Sequence, residues 1–269
     1  MGAGGDNRNK VVIVTGGAKG IGRAITLAFS IEGAKVATAD VDDPAGTEVL
    51  QLAQDNPGPV QYYHADVSQA AVCADLVQRV VDTWGRIDVL CNNVGIQPTH
   101  SYLRAHEMPE EMWDRILDVN LKSAFLMCKY VIPHMQAAGG GVIINTASVQ
   151  GLMSANLVPA YAASKGGLLS LTRNLCLDYA EDNIRVVAVN PGTVDTPLVA
   201  EAAAASLKEG VSSVAALRAE WARCHPVGRI AQPAEIAAVV TFLATDRASF
   251  MTGSYVNVDG GMMAKGAWA

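Results

Sequence analysis

Three side chains in the middle of the chain have the types and spacing to move a proton. Tyr161 and Lys165, in Tyr161-Ala162-Ala163-Ser164-Lys165, stand four apart at the start of a helical pattern, and Ser148 closes the strand-like run before it. Residues four apart share a helix face, so the phenol and the ammonium are expected to couple. Lowering a tyrosine pKa from ~10 toward ~7 takes about 4 kcal/mol. One cation at ~4 Å and an effective dielectric of ~20 supplies about that much. A phenol so acidified serves as general base toward an alcohol and general acid toward a carbonyl, with Ser148 donating to the reacting oxygen. In isolation a helical tyrosine usually packs with its hydroxyl wet, and a lysine one turn away usually solvates a face. The conjunction with Ser148 and with a second constellation favours chemistry.

That second constellation is Thr15-Gly16-Gly17-Ala18-Lys19-Gly20-Ile21-Gly22, which follows an apolar run and opens a helical one. Its glycines permit a tight turn and close backbone approach, and a helix N-terminus offers free N–H groups and partial positive charge to a diphosphate. Thr15, Gly16, Lys19, Gly20, Ile21 and Gly22 are therefore the expected pyrophosphate contacts, although a glycine pattern alone also fits a turn without a ligand. Asp40 closes the second strand-like run, where a dinucleotide fold places an acid for the adenosine ribose hydroxyls. It predicts NAD over NADP, since a carboxylate ~4 Å from a 2′-phosphate meets about 4 kcal/mol of repulsion per unit charge at an effective dielectric of ~20. Lys19 pulls the other way, but an exposed ion pair is worth only ~0–1 kcal/mol. Asp42-Asp43-Pro44 holds the better helix-capping acids, which weakens a purely structural reading of Asp40.

The elements that must position these groups alternate between short β-branched runs and longer helical patterns, the signature of parallel βαβ units. Strands are expected at Lys10–Val14, Lys35–Ala39, Val60–His64, Val89–Cys91, Gly141–Asn145, Arg185–Asn190 and Tyr255–Val258. Helices are expected at Ile21–Glu32, Ala70–Trp84, Trp113–Met135, Tyr161–Tyr179 and Ala234–Thr245. The fold class is α/β, a single domain over 10–269 with seven strands in one sheet and helices on both faces. Residues 1–9 are polar and glycine-rich and are expected to form a frayed arm. The Ala-rich stretch from Ala200 to Val214 breaks the beat and is expected to be a mobile flap, spanning about 195–226.

Taken together, these motifs resemble the short-chain dehydrogenase/reductase family, in its single-domain branch, from about Lys10 to Gly261. Thr15, Gly16, Gly20 and Gly22 meet the family's glycine motif, and Ser148, Tyr161 and Lys165 its catalytic set. Asp66-Val67 falls where the family contacts adenine. Asn92-Asn93-Val94-Gly95 stands for Asn-Asn-Ala-Gly, with Asn93 and Gly95 at the cofactor and a valine in place of the family's alanine. Asn120 occupies the fourth catalytic position, which the resemblance assigns to a water-mediated proton relay to the lysine; as a polar residue inside a helical pattern it also fits a helix kink. Pro191-Gly192-Thr193-Val194-Asp195-Thr196-Pro197 resembles the segment that binds the nicotinamide carboxamide through the Val194 backbone and the Thr196 hydroxyl; read without the family it is a turn after a strand. The resemblance further implies a Rossmann sheet of order 3-2-1-4-5-6-7. It implies that Tyr161 and Lys165 touch the cofactor, with Lys165 on the nicotinamide ribose. It also implies a homotetramer with interfaces at the helices carrying Asn120 and Tyr161 and at the last strand.

Composition excludes other classes. A net charge of −6 with no basic stripe argues against nucleic acid, and no apolar run approaches the ~20 residues of a membrane span. Five cysteines without ligand spacing argue against both a complete disulfide set and a metal site, and for a reducing, cytoplasmic setting. The pocket is expected to be more polar than a steroid or acyl site would favour. Gln97, Gln150, Asn156 and Trp221 are the substrate candidates, flanked by His100, Met153, Leu157 and Val158. The run Asn145-Thr146-Ala147-Ser148-Val149-Gln150-Gly151 resembles the family's sugar and polyol dehydrogenases. The expected activity is NAD-dependent hydride transfer to or from a small secondary alcohol or carbonyl, a sugar or polyol. The alternatives are a 3-oxoacyl-thioester reductase and a non-catalytic dinucleotide sensor. The first wants a basic rim, whereas Lys208, Arg218, Arg223 and Arg229 are matched by Asp195, Glu201, Glu209 and Glu220. The second could afford to lose Tyr161 or Lys165.

Overall fold

The computed structural model describes residues 7–207 and 213–265. Seven strands form one parallel sheet: β1 Val11–Thr15, β2 Lys35–Asp40, β3 Val60–His64, β4 Val89–Asn92, β5 Gly141–Thr146, β6 Ile184–Pro191 and β7 Tyr255–Val258. Their order is β3-β2-β1-β4-β5-β6-β7, as the family resemblance implied. The reason is visible in the strand residues, which are apolar on both sides. Val12 and Val14 of β1 and Val142 and Ile144 of β5 face one core, while Val11, Ile13 and Ile143 face the other. A strand with period-2 side chains can be apolar at every position only when both faces of its sheet are covered.

The helices supply that cover. Ile25 and Phe29 of α1 (Gly20–Ile31) and Ile236, Val240 and Leu243 of α9 (Pro233–Leu243) fill one core. Leu76, Val77 and Val80 of α3 (Ala70–Trp84) and Met127 and Val131 of α5 (Ser123–Ala137) fill the other. The remaining α-helices are α2 (Asp43–Ala53), α4 (Glu110–Leu117), α6 (Pro159–Tyr179), α7 (Pro197–Leu207) and α8 (Val214–Arg223). Because β1 sits between β2 and β4, the chain reverses direction across the sheet there, and the crevice beyond the strand ends opens at that switch.

Three expectations need correction. Asp43–Ala53 is a helix, although its polar residues hid the periodicity; Asp42 caps it, accepting Ala45 N–H at 2.9 Å. The long helix expected at Trp113–Met135 starts earlier, after Pro109, and is interrupted by a π turn at Asp118–Lys122. Residues 7–9 do not fray. Buried Asn7 donates to Glu32 Oε2 at 2.7 Å and to Thr241 O at 2.9 Å, and Asn9 N–H reaches Gly33 O at 3.0 Å. The rest of that arm lies outside the described residues. The Ala-rich segment is helical on both sides of residues 208–212, which also lie outside them. Its first helix, α7, packs near the turn Thr99–Ser101.

Candidate active site

The glycine turn is built for close approach. Gly20 lies at φ +52°, and a Cβ there would come 3.2 Å from Thr196 Cγ2, so the turn after β1 and the segment after β6 meet over it. A Cβ on Gly22 would come 2.0 Å from Gly16 O and 2.5 Å from Asn93 Nδ2. No side chain caps the N-terminus of α1, which leaves that end available to an anion. Asn93 braces the turn from β4: its amide donates to Thr15 O at 3.2 Å and Gly16 O at 3.1 Å, while Thr15 Oγ1 accepts Asn93 N–H and Val94 N–H at 3.1 and 3.3 Å. A glycine cradle with an uncapped helix start fits a dinucleotide pyrophosphate.

Asp40 does more than wait for a ribose. Its Oδ2 accepts Ala18 N–H at 3.0 Å, and its Oδ1 accepts Val41 and Asp42 N–H at 2.8 and 3.2 Å. The turn role set aside in favour of Asp42 is therefore also filled, and Asp40 knits the glycine turn to the end of β2. Lys19 is ion-paired with Asp42, whose hydrogen bond raises the lysine pKa. Asp66 Oδ1 accepts Ser68 N–H and Oγ–H at 3.1 and 2.7 Å, shaping the turn before α3, and Val67 is buried beside it.

At the other side of the crevice, Lys165 is 3% exposed and donates from Nζ to Thr146 O at 2.8 Å. Nζ lies 5.7 Å from the centroid of the Tyr161 ring. Ser148 Oγ accepts Gln150 N–H at 3.1 Å, and the Ser148 side chain stands close enough to the Tyr161 phenol to act on its acidity. A Cβ on Gly95 would come 3.3 Å from Lys165 Nζ and 3.6 Å from Asn120 Oδ1. Lys165 and Asn120 thus meet at the Gly95 turn, and the Tyr161 ring, with Ser148 beside its phenol, adjoins Lys165. Asn120 sits in the π turn, accepting Ile96 N–H at 2.7 Å and donating to Ile96 O at 3.0 Å and Ser164 Oγ at 3.2 Å. The helix-kink reading of Asn120 matches this arrangement: the bulge in the helix aims its amide at the Ile96 backbone.

The expected acidity of the phenol is reversed in this arrangement. Burial pushes the Tyr161 phenol up to about 12, against the lowering effect of Ser148, and burial pushes the Lys165 ammonium down to about 8. The four-residue spacing fixes proximity but not direction: the ammonium faces the ring and the Thr146 carbonyl rather than the hydroxyl. Low dielectric then penalises both charges.

The substrate candidates separate into two groups. Gln97 and Gln150 each bury an Oε1 that has no hydrogen-bond partner. Gln97 is oriented unambiguously: Ser101 Oγ donates to Pro98 O at 2.6 Å and so must accept from Gln97 Nε2 at 3.0 Å, which turns Oε1 away as a lone acceptor. Asn156 is exposed and lines a groove of about 700 Å³ with Leu103, Arg104 and Leu157; Ser148 and Tyr161 are not among its walls. Trp221 is half-buried and offers its carbonyl to His225 Nδ1 at 2.9 Å. The sequence reading missed Ser164, Thr146 and His225. Ser164 stood inside the quoted Tyr-to-Lys motif, but the others act through backbone contacts that no residue pattern announces. Among the described residues no cluster of potential ligands could hold a metal ion, and no helix is long and apolar enough to cross a membrane.

Comparison with known proteins agrees with this geometry. A family model described as enoyl-(acyl carrier protein) reductase matches residues 16–263. A cyclohexanol dehydrogenase of Acinetobacter sp. strain SE19 is 36% identical over 257 residues, 96% of this chain and 96% of its own length. A 3-oxoacyl-[acyl-carrier-protein] reductase of Thermotoga maritima is 36% identical over 254 residues, 94% of this chain and 98% of its own. The ligand-free structure of an aldohexose dehydrogenase from Thermoplasma acidophilum superposes with a TM-score of 0.87 at 35% identity, covering 98% of this chain and 97% of that one. With its parallel sheet, its glycine turn and its Ser-Tyr-Lys cluster, the chain belongs to the short-chain dehydrogenase/reductase family of oxidoreductases.

Proposed function

We propose that this chain is an NAD-dependent dehydrogenase acting on a secondary alcohol of a small polyhydroxylated substrate, a sugar or polyol. The observation that carries the reading is the adjacency of Ser148, Tyr161 and Lys165, with Lys165 reaching the Gly95 turn beside the braced glycine cradle. A bound nicotinamide supplies the hydride acceptor and, when oxidised, one positive charge. The chain's own residues do the rest. Ser148 orients the reacting oxygen, Tyr161 exchanges the proton with it, and Lys165, with Asn120 behind it, holds the ribose side of the site. Thr196 packs over the glycine turn, and with Pro191, Gly192 and Val194 of the same segment it is proposed to hold the nicotinamide. A phenol held protonated by burial is ready to donate to a carbonyl. Its use as a base draws on the added positive charge, about 4 kcal/mol at ~4 Å and an effective dielectric of ~20.

NAD is favoured over NADP by the acids at the adenosine end. Asp40 faces the turn, and Asp42 already neutralises Lys19. The substrate class is supported by the two unpartnered acceptors, Gln97 Oε1 and Gln150 Oε1. A buried acceptor without a donor costs ~1–3 kcal/mol, which substrate hydroxyls would offset, and a similar structure carries the name aldohexose dehydrogenase. The thioester-reductase reading is supported by the Thermotoga relative. It is disfavoured by the rim, where Arg218 is held by Asp195 and Arg229 by Glu235, each at 2.7 Å. A homotetramer in a reducing, cytoplasmic setting completes the proposal. It is supported by the exposed Phe250, Leu177 and Phe125 and by five unpaired cysteines. Following NADH formation across sugars, polyols and hydroxy acids tests the activity. Turnover confined to 3-oxoacyl thioesters with NADPH would reverse it, and a solution mass of 28.2 kDa would reject the tetramer.

A further inference from the structure

His225 is buried, 3% exposed, just beyond the end of α8. Its Nδ1 lies 2.9 Å from Trp221 O and its Nε2 lies 3.0 Å from Thr193 N. A carbonyl can only accept and a backbone N–H can only donate, so the ring must carry its proton on Nδ1 and keep the Nε2 lone pair for Thr193. The contact is close: a Cβ on Gly192 would come 2.6 Å from Nε2. The same two segments are joined by the Asp195–Arg218 ion pair and by the backbone bonds of Thr193 and Asp195 with Ala231. We propose that His225 is a positioning residue for the dinucleotide: its ring, donating to Trp221 O and accepting Thr193 N–H, latches the Pro191–Thr196 turn to the end of α8. The inference rests on reading Pro191–Thr196 as the nicotinamide-binding segment.

The test measures NADH affinity directly by fluorescence titration, together with hydrogen exchange of the peptide containing Thr193 in the protein alone. His225→Asn keeps the donor to Trp221 but falls short of Thr193, so its affinity should fall about fivefold to tenfold, the effect of one hydrogen bond, and Thr193 should lose protection. His225→Gln keeps an acceptor for Thr193, so both its affinity and its Thr193 protection should stay close to wild type. Equal affinities and equal Thr193 protection in wild type and His225→Asn, or losses in His225→Gln as large as those in His225→Asn, would overturn the latch. Absence of NADH binding in every form would defeat the dinucleotide reading instead, while exchange at Thr193 would still report on the latch.

Discussion

Lys165 Nζ lies 5.7 Å from the centre of the Tyr161 ring while donating at 2.8 Å to the Thr146 carbonyl. The ammonium is therefore committed to a backbone carbonyl at the end of β5 and to the face of the phenol ring, inside a region that disfavours its charge.

That burial makes Lys165 a cost to the fold. Its pKa in the folded chain is about 8 against an ordinary 10.5, so between those values the unfolded chain binds the extra proton and stability rises with pH. Below about pH 8 both states are charged and the full cost is present, about 3 kcal/mol from the shift. Lys165→Met should abolish turnover yet raise unfolding stability at pH 7 by about 1–3 kcal/mol, part of the gain being lost to the unpaired Thr146 carbonyl. Denaturant titrations at pH 7 and 10 check both the gain and the flattening of the pH dependence. Tyr161, raised to about 12, acts oppositely: above pH 10 the folded state retains a proton the unfolded one releases, and stability falls.

Tyr161→Phe removes the proton carrier without touching the glycine cradle. Turnover should fall about 10²–10⁴-fold, while NADH affinity changes less than about threefold. In the wild type, alcohol oxidation should accelerate as pH rises, because the base form of a phenol held high is scarce at neutral pH. Steady-state rates across pH and a direct NADH titration separate the two effects.

Gly22→Ala drives a methyl to 2.0 Å from Gly16 O and 2.5 Å from Asn93 Nδ2. Backbone has to move, at a cost of about 1–3 kcal/mol, and the turn that has to move is the one proposed to receive the diphosphate. Dinucleotide affinity should drop at least tenfold with a lowered melting temperature. An unchanged affinity in a folded variant would place the diphosphate elsewhere.

Cofactor choice should respond to Asp42 as well as Asp40. Asp42→Ala frees Lys19 from its ion pair and removes the cap of α2, so the NADP-to-NAD ratio of kcat/KM should rise severalfold with a small fall in melting temperature. Asp40→Ser should move the ratio further, by about 10²-fold, because it removes the negative charge nearest the expected 2′-phosphate. Paired kinetics with both cofactors read the ratio directly.

Much of this protein is legible without coordinates. Alternation of β-branched runs with helical periodicity specifies a parallel α/β sheet, because strands such as Val11–Thr15 are apolar on both faces and must be covered on both. The glycine turn, the acid at Asp40 and the Ser-Tyr-Lys spacing likewise follow from residue type and position. The helix at Asp43–Ala53 escaped because its polar surface masks its period, and the π turn at Asp118–Lys122 because it is set by a contact with Ile96, distant in sequence.

Tertiary structure alone decided the electrostatics and the second layer of the site. Residue spacing places an ammonium one turn from a phenol, but only packing determines that both are desolvated and that the ammonium is spent on Thr146. The same holds for Gln97 Oε1, which faces away because Ser101 is committed to Pro98, and for His225, which meets Thr193 through the main chain. Such outcomes depend on burial and on backbone groups that every residue carries, and neither is written in the identity of the side chains.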